Sequence, residues 1–183
     1  MTKAIYIIIP VTLGIMLTSC RNNRNNQQPA NEVETTIPTS QQTTLGNVEV
    51  RDFDRDPVRL ADEVAHHKLT IIDFWASWCS PCMREMPNLV DIYSSYKEKG
   101  LGIIGISLDT DYNRWKDIVE NQNMHWLQLS DLRGWDGEAS NAFGVQSIPY
   151  TLLVDHNGKI INQGIRGDKL RRFVEEYFEK SRI

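Results

Sequence analysis

The chain has 183 residues, 40% of them hydrophobic, enough for one domain with a proper core and a further segment besides. Twenty Lys and Arg stand against 24 Asp and Glu, a formal charge of −4, so nothing favours a nucleic-acid partner. Three cysteines, Cys20, Cys79 and Cys82, are too few for a disulfide framework, so the fold must stand on its hydrophobic core.

The front reads as an export signal. Lys3 gives a positive start, and Ala4 to Thr18 is almost continuously apolar. Such a run, about 15 residues, has signal-peptide length and is short for a spanning helix. It ends in Leu17-Thr18-Ser19-Cys20, which resembles the lipobox of bacterial lipoproteins. That resemblance implies a signal peptide over 1–19, cleavage before Cys20 and lipidation of its sulfur. Lipidation also accounts for the odd thiol. The alternative is an uncleaved signal anchor with Cys20 a bystander. Residues 21–44 are rich in Asn, Gln and Thr and nearly devoid of apolar side chains, so 20–44 is read as lipidated cysteine plus flexible linker. A coil of some two dozen residues reaches on the order of 25–30 Å. The folded domain is expected over 45–183.

Within that domain, Val48 to Phe53 alternates apolar and polar residues, as an edge strand or hairpin arm does, and Asp54 to Pro57 is a turn. Leu60 to His66 is a short helix. His66 and His67 are adjacent, point to different faces and make a poor ligand pair. Leu69 to Trp75 is a buried strand rich in β-branched and aromatic residues. Pro81 to Lys99 is the main helix, with Met83, Met86, Leu89, Val90, Tyr93 and Tyr96 on one face, Pro87 kinking its interior and Gly100 stopping it. Leu101 to Leu108 is a second apolar strand, and strand, helix and parallel strand make a right-handed crossover unit. Asp109 to Asn123 is a helix packed through Trp115, Ile118 and Val119. Trp126 to Leu132 is irregular or weakly extended, and Glu138 to Phe143 is a short helix closed by Gly144. Ile148 to Asp155 is a strand entered through Pro149; His156-Asn157-Gly158 turns it back into Lys159 to Ile165. Asp168, as N-cap, opens a final amphipathic helix to Ser181.

The chemistry gathers where the first buried strand meets the main helix, at Trp78-Cys79-Ser80-Pro81-Cys82. Pro81 suits the first helical turn, which places Cys79 at the helix N-terminus. Unpaired backbone N–H groups and the helix dipole favour a thiolate there. Cys82, three residues on, is within reach of a mixed disulfide formed at Cys79. A zinc site needs about four ligands, usually two such pairs, and one C-x-x-C with no histidine at ligand spacing does not supply them. A purely structural disulfide across so short a loop constrains little chain.

Trp78-Cys79-Ser80-Pro81-Cys82, preceded by Asp73-Phe74-Trp75 and followed by Pro87 and Ile148-Pro149, resembles the thioredoxin active site. From Val48 to the C-terminus the chain is similar to membrane-anchored, extracytoplasmic reductases of the TlpA/ResA type. The resemblance implies an α/β thioredoxin fold, with an N-terminal strand or hairpin extension and an inserted helical segment between the central βαβ unit and the C-terminal ββα unit. It implies a thiol-disulfide oxidoreductase that needs no cofactor and cycles a Cys79–Cys82 disulfide. Cys79 attacks and Cys82 resolves. Asp73 matches the buried carboxylate that moves protons in thioredoxin, and Glu85 matches an acid characteristic of the TlpA/ResA type; most such proteins emphasise one of the two. Pro149 is expected to be cis, with Ile148 and exposed Trp78 lining the substrate groove and Trp75 in the core. Tyr150 departs from the small polar residue often found next. Partners implied are a disulfide-containing protein substrate, an upstream membrane dithiol reductant and, through the lipid anchor, the membrane. Ser80-Pro81 carries no cation or histidine to stabilise the reduced form, which favours electron donation over strong oxidation. The rival readings are a thiol peroxidase and a non-catalytic thioredoxin-fold binding module.

Overall fold

The computed structural model describes residues 44–180. The signal peptide expected at 1–19, Cys20 and the linker as far as residue 43 lie outside the described residues.

Two long apolar runs form the centre. Strands β3 (Leu69–Trp75) and β4 (Leu101–Ser107) are buried at every position. Both faces of a parallel pair are covered, which is why these strands read as continuous apolar runs rather than alternating ones. Leu69, Ile71, Ile72 and Phe74 are fully buried, each contributing roughly 1.5–3 kcal/mol of transfer free energy. Helix α2 (Ser80–Tyr96) joins β3 to β4, which run parallel from Leu69↔Leu101 to Trp75↔Ser107. Cys82, Met86, Leu89 and Ile92 form its fully buried stripe. Met83, Val90, Tyr93 and Tyr96, expected on the packed face, flank that stripe half-buried. The helix runs on through Pro87, which is exposed, so the missing N–H falls on the outer side. A turn of 3-10 helix (Lys97–Lys99) and Gly100, at φ +107°, end it.

The five-stranded sheet has the order β5-β4-β3-β6-β7. Strand β6 (Tyr150–Asp155) lies antiparallel to β3, and β7 (Ile160–Gln163) antiparallel to β6 across the expected turn. Helix α3 (Tyr112–Asn121) is N-capped by Asp111, whose Oδ1 accepts from the N–H groups of Asn113 and Arg114. The segment read as irregular contains a fifth strand, β5 (Leu127–Leu129), parallel to β4. Only three residues long, with a buried Gln128 at its centre, it lacks the apolar continuity that marks β3 and β4. Helix α4 (Glu138–Ala142) follows. Helix α5 (Asp168–Lys180) takes its first backbone bond from Arg171 N–H to Gly167 O, so Gly167 occupies the capping position expected of Asp168. Asp168 instead adds negative charge to the first turn.

Before the sheet, β1 (Glu49–Arg51) and β2 (Pro57–Arg59) form an antiparallel hairpin that leads into helix α1 (Leu60–Val64). Ser130 N–H donates to Arg51 O and Arg55 Nη1 donates to Ser130 O, tying the hairpin to the segment after β5. His66 is exposed, while His67 is half-buried and covers Gly102. No helix among the described residues is long and apolar enough to cross a membrane.

Gly105 leaves no room for a side chain. A Cβ there would overlap the amide of Gln128, which lies over β4 to accept the Trp75 indole N–H at 3.2 Å. Gly105→Ala is expected to lower stability by about 1–3 kcal/mol, read by urea unfolding, and a second change, Gln128→Ala, should recover part of that loss. Two additive penalties would refute the clash.

Candidate active site

The β3–α2 connection sets up the dithiol. Trp75 closes β3, with its carbonyl accepting Leu108 N–H at 2.8 Å. Cys79 N–H donates to Ala76 O at 3.0 Å, which turns the chain. Cys79 is extended, at φ −87° and ψ 93°, and occupies the N-cap of α2. Its Sγ accepts Cys82 N–H at 3.2 Å, a role usually taken by a Ser or Asp oxygen. Pro81 sits in the first turn, as expected. A sulfur so placed faces the open N–H groups and the positive end of the dipole, the conditions that favour its anionic form once reduced. Here it is joined to Cys82 by a disulfide of 2.04 Å across a Cα separation of 5.2 Å. Cys79 is 4% exposed and Cys82 fully buried, so of the two residues only Cys79 touches the surface.

An anchor for this loop was not among the residues expected from the sequence. Asp109, buried just past β4, accepts Ser77 N–H at 2.8 Å, Ser77 Oγ–H at 2.6 Å and Ser107 Oγ–H at 2.7 Å. These bonds fasten the turn between Trp75 and Cys79 to the end of the neighbouring strand. The only sequence signal was an acid directly after an apolar strand, which reads equally well as a helix start.

Asp73 lies on β3 between Gly105 of β4 and Thr151 of β6. It is 1% exposed, and neither carboxylate oxygen has a hydrogen-bond partner among the described residues. Burial, reinforced by the charge of Glu85, pushes its pKa from 3.8 up to about 7. Glu85 is half-buried on the first turns of α2. Its Oε1 accepts Gly167 N–H at 2.7 Å and Asn88 Nδ2–H at 2.8 Å. Asn88 Oδ1 in turn accepts Arg171 Nη2–H at 2.8 Å. Glu85 therefore spans from the dithiol helix to the start of α5 rather than facing solvent alone. Asn88, Gly167 and Arg171 belong to this arrangement without any local motif to mark them.

The residues expected to line a substrate groove fall at the same end of the sheet. Tyr150 pairs with Phe74, so Ile148 and Pro149, immediately before it, sit where β3 gives way to the cysteine turn. The Ile148–Pro149 peptide is cis, as expected. Trp75 is fully buried, and Trp78 is 49% exposed. Tyr150 is half-buried beside Phe74, with ring centroids 6.2 Å apart, and its hydroxyl donates to Gln163 Oε1.

The fold and the dithiol at a helix N-terminus define a thioredoxin-like protein. The thioredoxin-like family model matches residues 67–160. Over 134 residues the chain is 34% identical to the thiol-disulfide oxidoreductase ResA of Bacillus thuringiensis subsp. konkukian (strain 97-27), covering 73% of this chain and 74% of that one. Among solved structures it resembles a thioredoxin domain of a thiol-disulfide oxidoreductase from Bacteroides vulgatus, with TM-score 0.68 and 29% identity over 76% of this chain and 98% of that one. A thiol-disulfide oxidoreductase from Bacteroides fragilis NCTC 9343 gives 0.67 and 25% over 73% and 98%. The chain belongs to the thioredoxin-like family and is a thiol-disulfide oxidoreductase similar to ResA.

The raised Asp73 pKa has a definite effect on stability. Between pH 3.8 and about 7 the folded chain keeps a proton that the unfolded chain has lost, so stability falls as pH rises through that window. The full displacement costs on the order of 4 kcal/mol. Asp73→Asn should therefore unfold at nearly the same denaturant concentration as wild type at pH 4 and at a distinctly higher one at pH 8, in the oxidised protein. Equal midpoints at pH 8 would show that Asp73 ionises like an exposed acid.

Proposed function

We propose that this chain is an extracytoplasmic disulfide reductase, held at a bacterial membrane by a lipid on Cys20 and acting on disulfides of other proteins. One observation carries the proposal: the cysteine of the pair that touches the surface, Cys79, is also the one at the head of α2, and its bonded partner Cys82 is fully buried. A groove that merely binds gains nothing from a second cysteine in that place.

In the reduced protein the Cys79 thiolate attacks one sulfur of the client disulfide, and the client's other sulfur leaves and takes up a proton. Cys82 passes its proton to a carboxylate and attacks Cys79 Sγ, displacing the remaining client thiolate, which is protonated in its turn. Two electrons reach the client, and the protein is left as the Cys79–Cys82 disulfide. A dithiol on a membrane reductant then restores it by the reverse exchange. Ser80 and Pro81 offer no cation to hold the thiolate, which supports donation of electrons over strong oxidation. Asp73 is the better-supported proton acceptor, since it is buried, lacks hydrogen-bond partners among the described residues and changes charge near neutral pH. Glu85 assists by raising the Asp73 pKa. Trp78, Ile148 and Pro149 line the client groove. The apolar run before Cys20 supports export, with 1–19 removed and 20–44 spacing the domain of 45–183 from the lipid surface.

Two experiments test this. Cys82→Ser should accumulate mixed disulfides with client proteins, visible on non-reducing gels and lost with reductant, whereas Cys79→Ser should accumulate none; equal trapping by both would reverse or abolish the assigned roles. The rate of client reduction should rise through pH 7 as Asp73 ionises, and Asp73→Asn should flatten that rise and slow resolution on the order of a hundredfold above it. Were Glu85→Gln to flatten the profile and Asp73→Asn not, the acceptor would be Glu85.

A further inference from the structure

Among the described residues, two large hydrophobic side chains are exposed, Trp78 at 49% and Trp135 at 43%. They lie together, with ring centroids 6.4 Å apart and planes tilted by 54°. One immediately precedes Cys79; the other comes from the insert between β5 and α4. Two indoles flat against each other would cover one another, but this tilt leaves apolar surface of both open beside the reactive sulfur. Exposed apolar surface of this kind marks a place of interaction, and tryptophan is among the side chains that carry most binding energy at such places.

We propose that Trp135 and Trp78 are the two walls of a seat for an apolar side chain of the client polypeptide, one or two residues from the cysteine that Cys79 attacks. Trp135 is then a specificity-determining residue. The proposal rests on the reductase reading above and names the kind of sequence it reads.

The seat is built in advance. Both loops are fastened to the end of β4. Ser107 and Asp109 hold the Trp78 side through Ser77, while Ser107 O accepts Ser130 Oγ–H at 2.9 Å on the Trp135 side, and Ser130 Oγ accepts Leu132 N–H at 3.1 Å. The Asp131 carboxylate closes the Trp135 turn by accepting the N–H groups of Arg133 at 3.3 Å and Glu138 at 2.7 Å. Gly134, at φ +60°, opens that turn, and a Cβ on Gly137 would come within 2.9 Å of Asp131 Oδ1. Fixed walls lose little entropy when they are filled. The occupant is apolar because the indole faces decide it: Arg133 and Asp136, exposed on either side of Trp135, carry opposite charges and favour neither sign. It belongs to the client because the patch is continuous with Cys79, itself only 4% exposed, so that a client sulfur must be steered to a small opening.

The test compares two synthetic peptides, each with one internal disulfide and identical except that Phe or Ser precedes the first cysteine. Reduced wild type, Trp135→Ala and Trp135→Phe are each mixed with peptide at concentrations below saturation, quenched with acid, and the peptide thiols counted by chromatography. Wild type should reduce the Phe peptide roughly 3- to 10-fold faster than the Ser peptide. Trp135→Ala should bring the two rates within twofold of each other, and Trp135→Phe should keep most of the preference. A wild-type ratio of one, or an undiminished ratio in Trp135→Ala, overturns the seat while leaving the reductase reading intact. Failure of wild type to reduce either peptide would bring down the reductase reading and the seat with it.

Discussion

The N–H of Cys82 donates to Sγ of Cys79, and the geometry of the redox end follows from that bond. A sulfur can take the N-cap only if the residue before the helix is extended and the first turn is held open for it. Pro81 presets the first turn, and Cys79 N–H, bonded back to Ala76, aims the chain into it. The bond also accounts for the asymmetry of the pair. The capping sulfur must lie outside the helix, and its partner, one turn along on the inner face, must lie in the core. The slight exposure of Cys79 and the full burial of Cys82 are two results of one piece of helix geometry.

Such a bond is useful only if the turn that carries it does not drift, and β4 supplies the fixture. The residues just past it reach far enough for Asp109 to accept two short bonds from Ser77 across the gap and a third from Ser107. Bonds to a carboxylate are stronger than those between neutral groups, and burial spares these from competition with water. Parallel neighbouring strands end at the same edge, so β3 brings the dithiol and β4 the clamp to a common place. Topology and chemistry meet at the carboxyl ends of these strands.

Much of this was legible in the residues. Continuous apolar runs identified β3 and β4, because strands covered on both faces carry no alternation. Pro81 and the spacing of the cysteines located the head of α2, because proline at a first turn and a one-turn offset are local facts. His156-Asn157-Gly158 marked its turn for the same reason. What escaped the sequence was non-local. Gln128 reads as an interruption until Gly105 is seen to leave room for its amide beside the Trp75 indole. Asp109 reads as the start of a helix until Ser77 is found opposite. Trp135, in a glycine-flanked stretch without periodicity, acquires meaning only from its neighbour Trp78. Glu85 was singled out from the sequence, but its bond to Gly167 joins residues far apart in the chain. Even β5 depends on β4 to be a strand, since three residues with a polar centre do not declare one.

At the beginning of the described residues, Leu45 N–H donates to Gly158 O in the β6–β7 turn. That turn lies by Asp155, opposite Leu69, at the start of β3, whereas Phe74 lies near its finish and the cysteines past it. Point of entry and point of reaction are therefore opposite poles of the same strand. The described residues thus begin at the pole remote from the dithiol, and nothing at that entry crowds the approach to Cys79.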